Sequence, residues 1–240
     1  MTPAIETILH HRSIRKFTDT PISESQMEQI FAAGRAGSSS NLIQCISIIR
    51  VTDKAKRSRL AELGGNQPYI ESAAEFLVFC IDYQRHHSLN PDLKLDSMEL
   101  TLIGAVDATI MAQNCLLAAE SMGLGGVYIG GLRNNPLQVD EVLELPEYCA
   151  VLYGMCLGHP DQAPDSKPRF STDIFVHENT YQKPDKEQIA HYDQVMSDYY
   201  RSRSSNTKDT NWSESMMNML SKDLRPHMLG YFHAKGLAKK

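Results

Sequence analysis

A chain of 240 residues, 42% of them hydrophobic and with a formal net charge of −5, can bury a substantial core as one large domain or two small ones. The acidic balance excludes a general attraction to nucleic acid, so any positive patch must be local and aimed at a small anion. Residues 1–10 carry Glu6 and lack a basic leader or a signal-like apolar core, and the five cysteines (Cys45, Cys80, Cys115, Cys149, Cys156) show no Cys-x-x-Cys spacing; both features read as a cytoplasmic protein with reduced, buried thiols.

In chain order, residues 3–11 read as a short helix. Directly after it, His11, Arg12, Ser13 and Arg15 set an imidazole, two guanidiniums and a hydroxyl on one stretch. Such a cluster suits an anion, because forked arginine donors match phosphate oxygens and each charge-assisted bond contributes about 1.5 to 3 kcal/mol. A solvated charged turn would have the same composition. Residues 23–36 predict a second helix, with Ser23 and Gln26 in capping-box spacing and Met27, Ile30 and Phe31 on one face; the run from Gly37 to Asn41 breaks it. Residues 43–51 and 76–81 have strand length and branched content, with a helical piece near 55–63 between them.

Residues 97–122 form the longest predicted helix, with Asp96 as its expected cap, Glu99 three residues on and Gly123 as its stop. It is apolar nearly all round and would extend about 39 Å, enough to cross a bilayer. Its polar residues argue against that. Asp107, Gln113, Asn114 and Glu120 lie inside it, and a carboxylate near a bilayer centre costs about 2.5 kcal/mol or more. A buried central helix is therefore expected, with Asp107 bonded to neighbouring groups in a structural role, a functional acid being the alternative.

Next comes a strand-sized run bracketed by glycine pairs, Gly125-Gly126 and Gly130-Gly131. Without Cβ atoms, Gly130 and Gly131 would let backbone N–H groups lie against a flat ligand, while Asn135 before Pro136 could cap a following helix. An ordinary glycine-rich turn is the alternative. No Gly-x-Gly-x-x-Gly opens a helix after a strand, so this is not a dinucleotide fingerprint. Residues 151–157 predict another strand, followed by a turn-rich stretch in which Pro168 fixes Lys167 and Arg169 in a loop. With no repeat or low-complexity linker, one domain over residues 1–240 with an extended tail over 160–240 is expected.

Taken together, His-Arg-Ser-Ile-Arg at 11–15, Ser-Ser-Ser at 38–40, Gly-Gly-x-Gln at 64–67, Gly-Gly-Val-Tyr-Ile-Gly-Gly-Leu-Arg-Asn-Asn at 125–135 and Lys-Pro-Arg at 167–169 resemble the nitroreductase family. The likeness spans nearly the whole chain and is strongest to the oxygen-insensitive NADPH nitroreductase and P-type flavin reductase branch. It implies an α+β fold with a mainly antiparallel central sheet flanked by helices, in an intertwined homodimer with FMN at the subunit interface. By position, His11, Arg12, Ser13, Lys167 and Arg169 would serve the FMN phosphate and ribityl side. Arg15 and Lys167 would lie toward the flavin N1/O2 edge, where Arg15 would stabilise the reduced ring electrostatically. Ser39, Gln67 and Tyr69 would complete the pocket, Gly130 and Gly131 would offer N–H groups near N5 and O4, and Tyr128 and Ile129 would shape that wall.

The implied activity is ping-pong reduction of nitroaromatics and quinones: NADPH delivers hydride to the flavin, leaves, and an acceptor takes two electrons. Alternatives are a flavin reductase releasing reduced FMN, or a non-catalytic flavin binder. The tail predicts a helix over 187–200 and a polar basic loop over 201–208. There the resemblance puts Arg203 at the NADPH 2′-phosphate, with Lys208 and Arg225 as further candidates. No cysteine is paired in sequence with an evident base, and His86-His87 and His10-His11 lack zinc-ligand spacing, so neither thiol catalysis nor a metal is expected. Neither a membrane nor a nucleic-acid partner is expected.

Overall fold

Four antiparallel strands carry the centre of a computed structural model that describes residues 1–203 and 206–240. They are β1 (Ile46–Arg50), β2 (Glu75–Asp82), β3 (Gly125–Ile129) and β4 (Cys149–Gly158), in the spatial order β1-β2-β4-β3. The two inner strands are buried almost throughout, which is why they read in sequence as continuous apolar runs. Side-chain alternation sends Leu77, Phe79, Met155 and Leu157 to one face and Phe76, Val78, Cys80 and Cys156 to the other. Each face is covered by helices, which makes the fold α+β.

The helices in chain order are α1 (Pro3–Leu9), α2 (Glu24–Arg35), α3 (Lys54–Leu63), α4 (Tyr69–Ser72), α5 (Gln84–Leu89), α6 (Met98–Ser121), α7 (Pro136–Leu143), α8 (Thr172–Phe175), α9 (Lys186–Ser202), α10 (Trp212–Leu220) and α11 (Met228–Ala234). α2 starts as its sequence demands: the Ser23 hydroxyl accepts from the Gln26 amide, and the Gln26 side chain accepts from the Ser23 amide. α6 is the central helix. Ala112, Cys115, Leu116 and Ala119 pack with Met27 and Ile30 of α2 and with Leu77 and Phe79 of β2. Close approach depends on small residues: a Cβ at Gly34 would lie 2.5 Å from Cys115 Sγ, and one at Gly104 would lie 2.7 Å from Ile81 Cγ2.

Several expectations need correction. The cap of α6 is Ser97, whose hydroxyl accepts from the Leu100 amide at 3.2 Å, and not Asp96. Asp96 is taken by the Lys240 ammonium at 2.7 Å. The first strand begins at Ile46 rather than residue 43, because Asn41, Leu42 and Gln44 have positive φ and cannot lie in a strand. Asn135 precedes α7 without capping it by its side chain; its Nδ2 donates to the Leu63 carbonyl instead, at 2.9 Å.

The chain divides into two compact units. The first, Met1–Pro164 with Arg225–Lys240, holds the sheet. Its C-terminal part is fastened by Tyr231, which donates to Asp140 at 2.8 Å, and by Lys235, which pairs with Asp140 at 2.9 Å. The second, Asp165–Leu224, contains α8, α9 and α10 around Phe170, which lies 4.2 Å from Tyr192 and 4.8 Å from Trp212 between ring centroids.

Candidate functional site

The basic stretch 11–15 is an ordered segment laid against the sheet edge. Ser13 forms a bridge with Gly126, and the Ile14 amide donates to the Gly126 carbonyl at 3.0 Å. The path continues past the end of β4, where the Thr18 amide donates to the His159 carbonyl at 2.9 Å and the Asp161 amide to the Lys16 carbonyl at 2.9 Å. A Cβ at Gly125 would lie 2.6 Å from the Ile14 side chain, so this glycine gives the segment its berth. Three side chains diverge from this frame. His11 Nδ1 bonds Glu120 Oε1 on α6 at 2.6 Å, Arg12 donates to the His10 carbonyl at 2.9 Å, and Arg15 is exposed with no bond to a described residue.

At the other end of β3 the chain turns through Gly130–Asn134. A Cβ at Gly131 would fall on the Gly64 carbonyl oxygen and on the Gln67 side chain, so this glycine is required by the neighbouring 64–67 turn. A Cβ at Gly130 would meet only the tip of the Arg133 guanidinium, 3.3 Å away, which leaves that backbone face open. Gln67 Nε2 donates to the Gly64 carbonyl at 2.5 Å, and the Tyr69 hydroxyl donates to Gln67 Oε1. Three expected site elements, 64–67, Tyr69 and 130–131, are thus joined.

Arg133, in sequence merely one position of the 125–135 motif, is central to this corner. Its guanidinium donates to the Leu152 carbonyl, while burial, followed by the like charge of Arg225, lowers its pKa. Arg225 donates from Nε to Asn134 Oδ1 at 2.9 Å, with its backbone at φ +53°. Tyr128, next to the buried Ile129, donates to Gln113 of α6 at 3.2 Å and packs edge-on against Tyr153 at 5.5 Å.

Ser39 sits in the strained turn before β1. Its hydroxyl donates to Asp107 Oδ2 at 2.6 Å and accepts from the Gln44 amide at 2.9 Å, while the Ser40 amide donates to Asp107 Oδ1 at 3.1 Å. Asp107 has the structural bonding that was expected of it. A cavity of about 240 Å³ opens here, lined in part by Ser38, Ser39, Gln44, Arg85 and Asp107.

The remaining candidates belong to the second unit. Arg169 is exposed and donates to the Lys167 carbonyl at 2.9 Å, and the Tyr192 hydroxyl donates to the Pro168 carbonyl at 3.1 Å, two bonds that lie inside the second unit. At the C-terminal end of α9, the Arg203 guanidinium lies 5.8 Å from the Tyr199 ring centroid, and the Lys208 amide donates to the Tyr200 carbonyl at 3.3 Å. Ser204 and Ser205 of the expected basic loop lie outside the described residues.

All five cysteines are free and buried. Burial pushes the Cys115 thiol up to about 11 and raises Cys45 and Cys156 as well, the opposite of what an activated nucleophile needs. Among the described residues no group of three or more His, Cys, Asp or Glu side chains could hold a metal ion.

Residues 8–159 match the nitroreductase family, and residues 167–240 match the nitroreductase family C-terminal domain. A relative from Vibrio harveyi named NADPH-flavin oxidoreductase is 62% identical over 240 residues, covering 100% of both chains. An oxygen-insensitive NADPH nitroreductase from Salmonella typhimurium is 49% identical over 240 residues, again covering 100% of both. Among solved structures, the NADPH:FMN oxidoreductase from Vibrio harveyi complexed with NAD+ superposes with a TM-score of 0.95 at 59% identity, covering 100% of both chains.

Proposed function

The chain belongs to the nitroreductase family, and from that premise we propose that it is an FMN-dependent NADPH oxidoreductase whose acceptors are nitroaromatics, quinones or free flavin. The observation that carries this reading is the pairing of the cationic stretch His11-Arg12-Ser13, bridged to Gly126 near one end of β3, with the open backbone face of Gly130 at the other. The four residue steps from Gly126 to Gly130 cover about 13 Å of strand. That separation suits an elongated ligand with an anionic tail and a flat head, and the donor set fits FMN.

In this reading His11, Arg12 and Ser13 hold the phosphate and ribityl side, for which Lys167 and Arg169 are further candidates, while Arg15 faces the electron-rich edge of the ring. Gln67, Tyr69, Ser39, Tyr128, Ile129, Gly130 and Gly131 shape the ring pocket. Bound there, FMN would supply the two-electron redox chemistry between NADPH and the acceptor. The chain's own work is to bind, orient and bias. A fixed guanidinium beside the ring favours its anionic reduced state and costs no reorganisation during reaction. Arg203, Lys208 and Arg225 are the candidates for gripping NADPH.

The same reading includes a homodimer. Leu102 and Val106 on α6 are 50% and 56% exposed, and Ile5, Ile8 and Leu9 on α1, a helix in contact with α6, are exposed as well, which leaves apolar surface on both helices. A second copy would cover it. The five free, buried thiols suit a reducing compartment, for which we propose the cytoplasm.

Anaerobic mixing tests the activity directly. NADPH should bleach the flavin absorbance of FMN-loaded protein, and a nitroaromatic or quinone should restore it. Protein that binds no FMN, or whose flavin NADPH leaves oxidised, would overturn the proposal. The flavin reductase reading is favoured by the 62% identical relative's name; steady-state kinetics separate it, since free FMN must then behave as a true second substrate.

A further inference from the structure

Helix α6 carries two largely buried carboxylates, and each is bonded to a residue of the proposed FMN set. Asp107, near the middle, is 3% exposed and accepts from the Ser39 hydroxyl and the Ser40 amide. Glu120, near the C-terminal end, has a side chain 10% exposed and is bonded to His11 Nδ1. Thirteen residues of one continuous helix separate them, about 20 Å at the helical rise. Burying a carboxylate is costly unless it is well bonded, and here both are bonded to segments distant in sequence.

The chemistry of these bonds restricts what their partners can do. A carboxylate only accepts, so His11 must place a proton on Nδ1, and the ring cannot turn without losing this bond. Nε2, which bonds no described residue, is left for a ligand. Ser39 has a single hydroxyl proton, and it is committed to Asp107. Its side chain is therefore a tether, and a ligand would meet the backbone of this turn. That turn includes Asn41, Leu42 and Gln44 at φ between +48° and +56°, a conformation that side-chain-bearing residues hold only when their surroundings enforce it. Asp107 supplies part of that enforcement.

Resting on the FMN reading, we infer that Glu120 and Asp107 are positioning residues: α6 is a rigid template that orients His11 at one point and the Ser39 turn at another for the same cofactor. Neither carboxylate need touch the flavin. Each acts through its tethered partner.

A double-mutant cycle read by FMN titration of the apoprotein tests this, with thermal melting of each apoprotein as the control for folding. Glu120→Ala should weaken FMN binding roughly 10- to 100-fold, the size expected for losing one charge-assisted tether. In a His11→Ala background the same substitution should leave affinity unchanged. Asp107→Asn should likewise lose much of its effect when Ser39→Ala is already present. A merely structural role would lower melting and weaken FMN equally in both backgrounds, and that additivity would overturn the inference, as would unchanged affinity in the single variants. Should Glu120→Ala fail to fold, Glu120→Gln keeps an acceptor oxygen without the charge and reads the same coupling at smaller amplitude. Wild-type apoprotein that takes up no FMN would sink the flavin reading itself, and this inference with it; tight wild-type binding with no coupling would sink the inference alone.

Discussion

Residues 11–15 and residues 167–169 both present cations on short stretches, but they are held in different ways. The first stretch is fastened by backbone bonds to residues more than a hundred positions away, at Gly126 and, just beyond it, at His159 and Asp161. The second is held by bonds among near neighbours, with Arg169 on the Lys167 carbonyl and Tyr192 on the Pro168 carbonyl, next to the cluster of Phe170, Phe175, Tyr192 and Trp212. The difference has consequences. Arg12 and Arg15 inherit the rigidity of the sheet, whereas Arg169 adjoins a cluster of four rings whose pairwise contacts contribute about 0.5 to 1.5 kcal/mol each.

The largest expected effect comes from breaking the sheet unit's frame. Gly131→Ala places a methyl on the Gly64 carbonyl, a backbone atom that cannot swing aside. It should cost about 3 kcal/mol and lower the melting temperature by on the order of 10 °C. FMN content should fall with it, because the 64–67 and 130–131 turns would separate. Wild-type melting and full flavin occupancy in this variant would show that the two turns are not interlocked. The matching break in the second unit is Trp212→Ala. It should cost roughly 2 kcal/mol and act locally. Limited proteolysis would then cut within 165–224 while the sheet unit keeps its thermal transition; one cooperative loss of both would erase the contrast between the units.

How far this contrast could be read from the sequence depended on the range of the interactions. The start of α2 was legible because Ser23 and Gln26 satisfy each other within one turn. The cap of α6 was misread at Asp96, since a local pattern cannot reveal that Lys240, far along the chain, claims that carboxylate and leaves the cap to Ser97. Asn135 deceived for the same reason, its amide being drawn to Leu63. The glycine pairs were recognised as places of close approach, but what approaches differs at each. Ile14 lies against Gly125 and the Gly64 carbonyl against Gly131, while only Gly130 keeps an open face. The roles of Glu120 and Arg133 gave no local signal, because their partners are His11 and the Leu152 carbonyl.

Charge removal sharpens the comparison without disturbing either frame. Arg15 bonds no described residue, so Arg15→Ala should leave folding intact. If the guanidinium stabilises the reduced flavin by about 1.5 to 3 kcal/mol, the two-electron potential should fall by roughly 30 to 60 mV. Spectroelectrochemical titration of flavin-replete variant protein measures this, and an unmoved potential would reject the role.

The smallest effect belongs to the second unit. Arg203 stands over Tyr199 at the end of α9, where a cation loosely placed against one ring is free to reach a phosphate. Arg203→Ala should raise the KM for NADPH about tenfold, the loss of one charge-assisted contact, and leave NADH use nearly unchanged. The selectivity of the change is the informative quantity, because the two nucleotides differ only in the 2′-phosphate. Equal losses with both would mean that Arg203 supports folding or general docking in the second unit, and the anion-gripping role would then rest with Lys208 or Arg225.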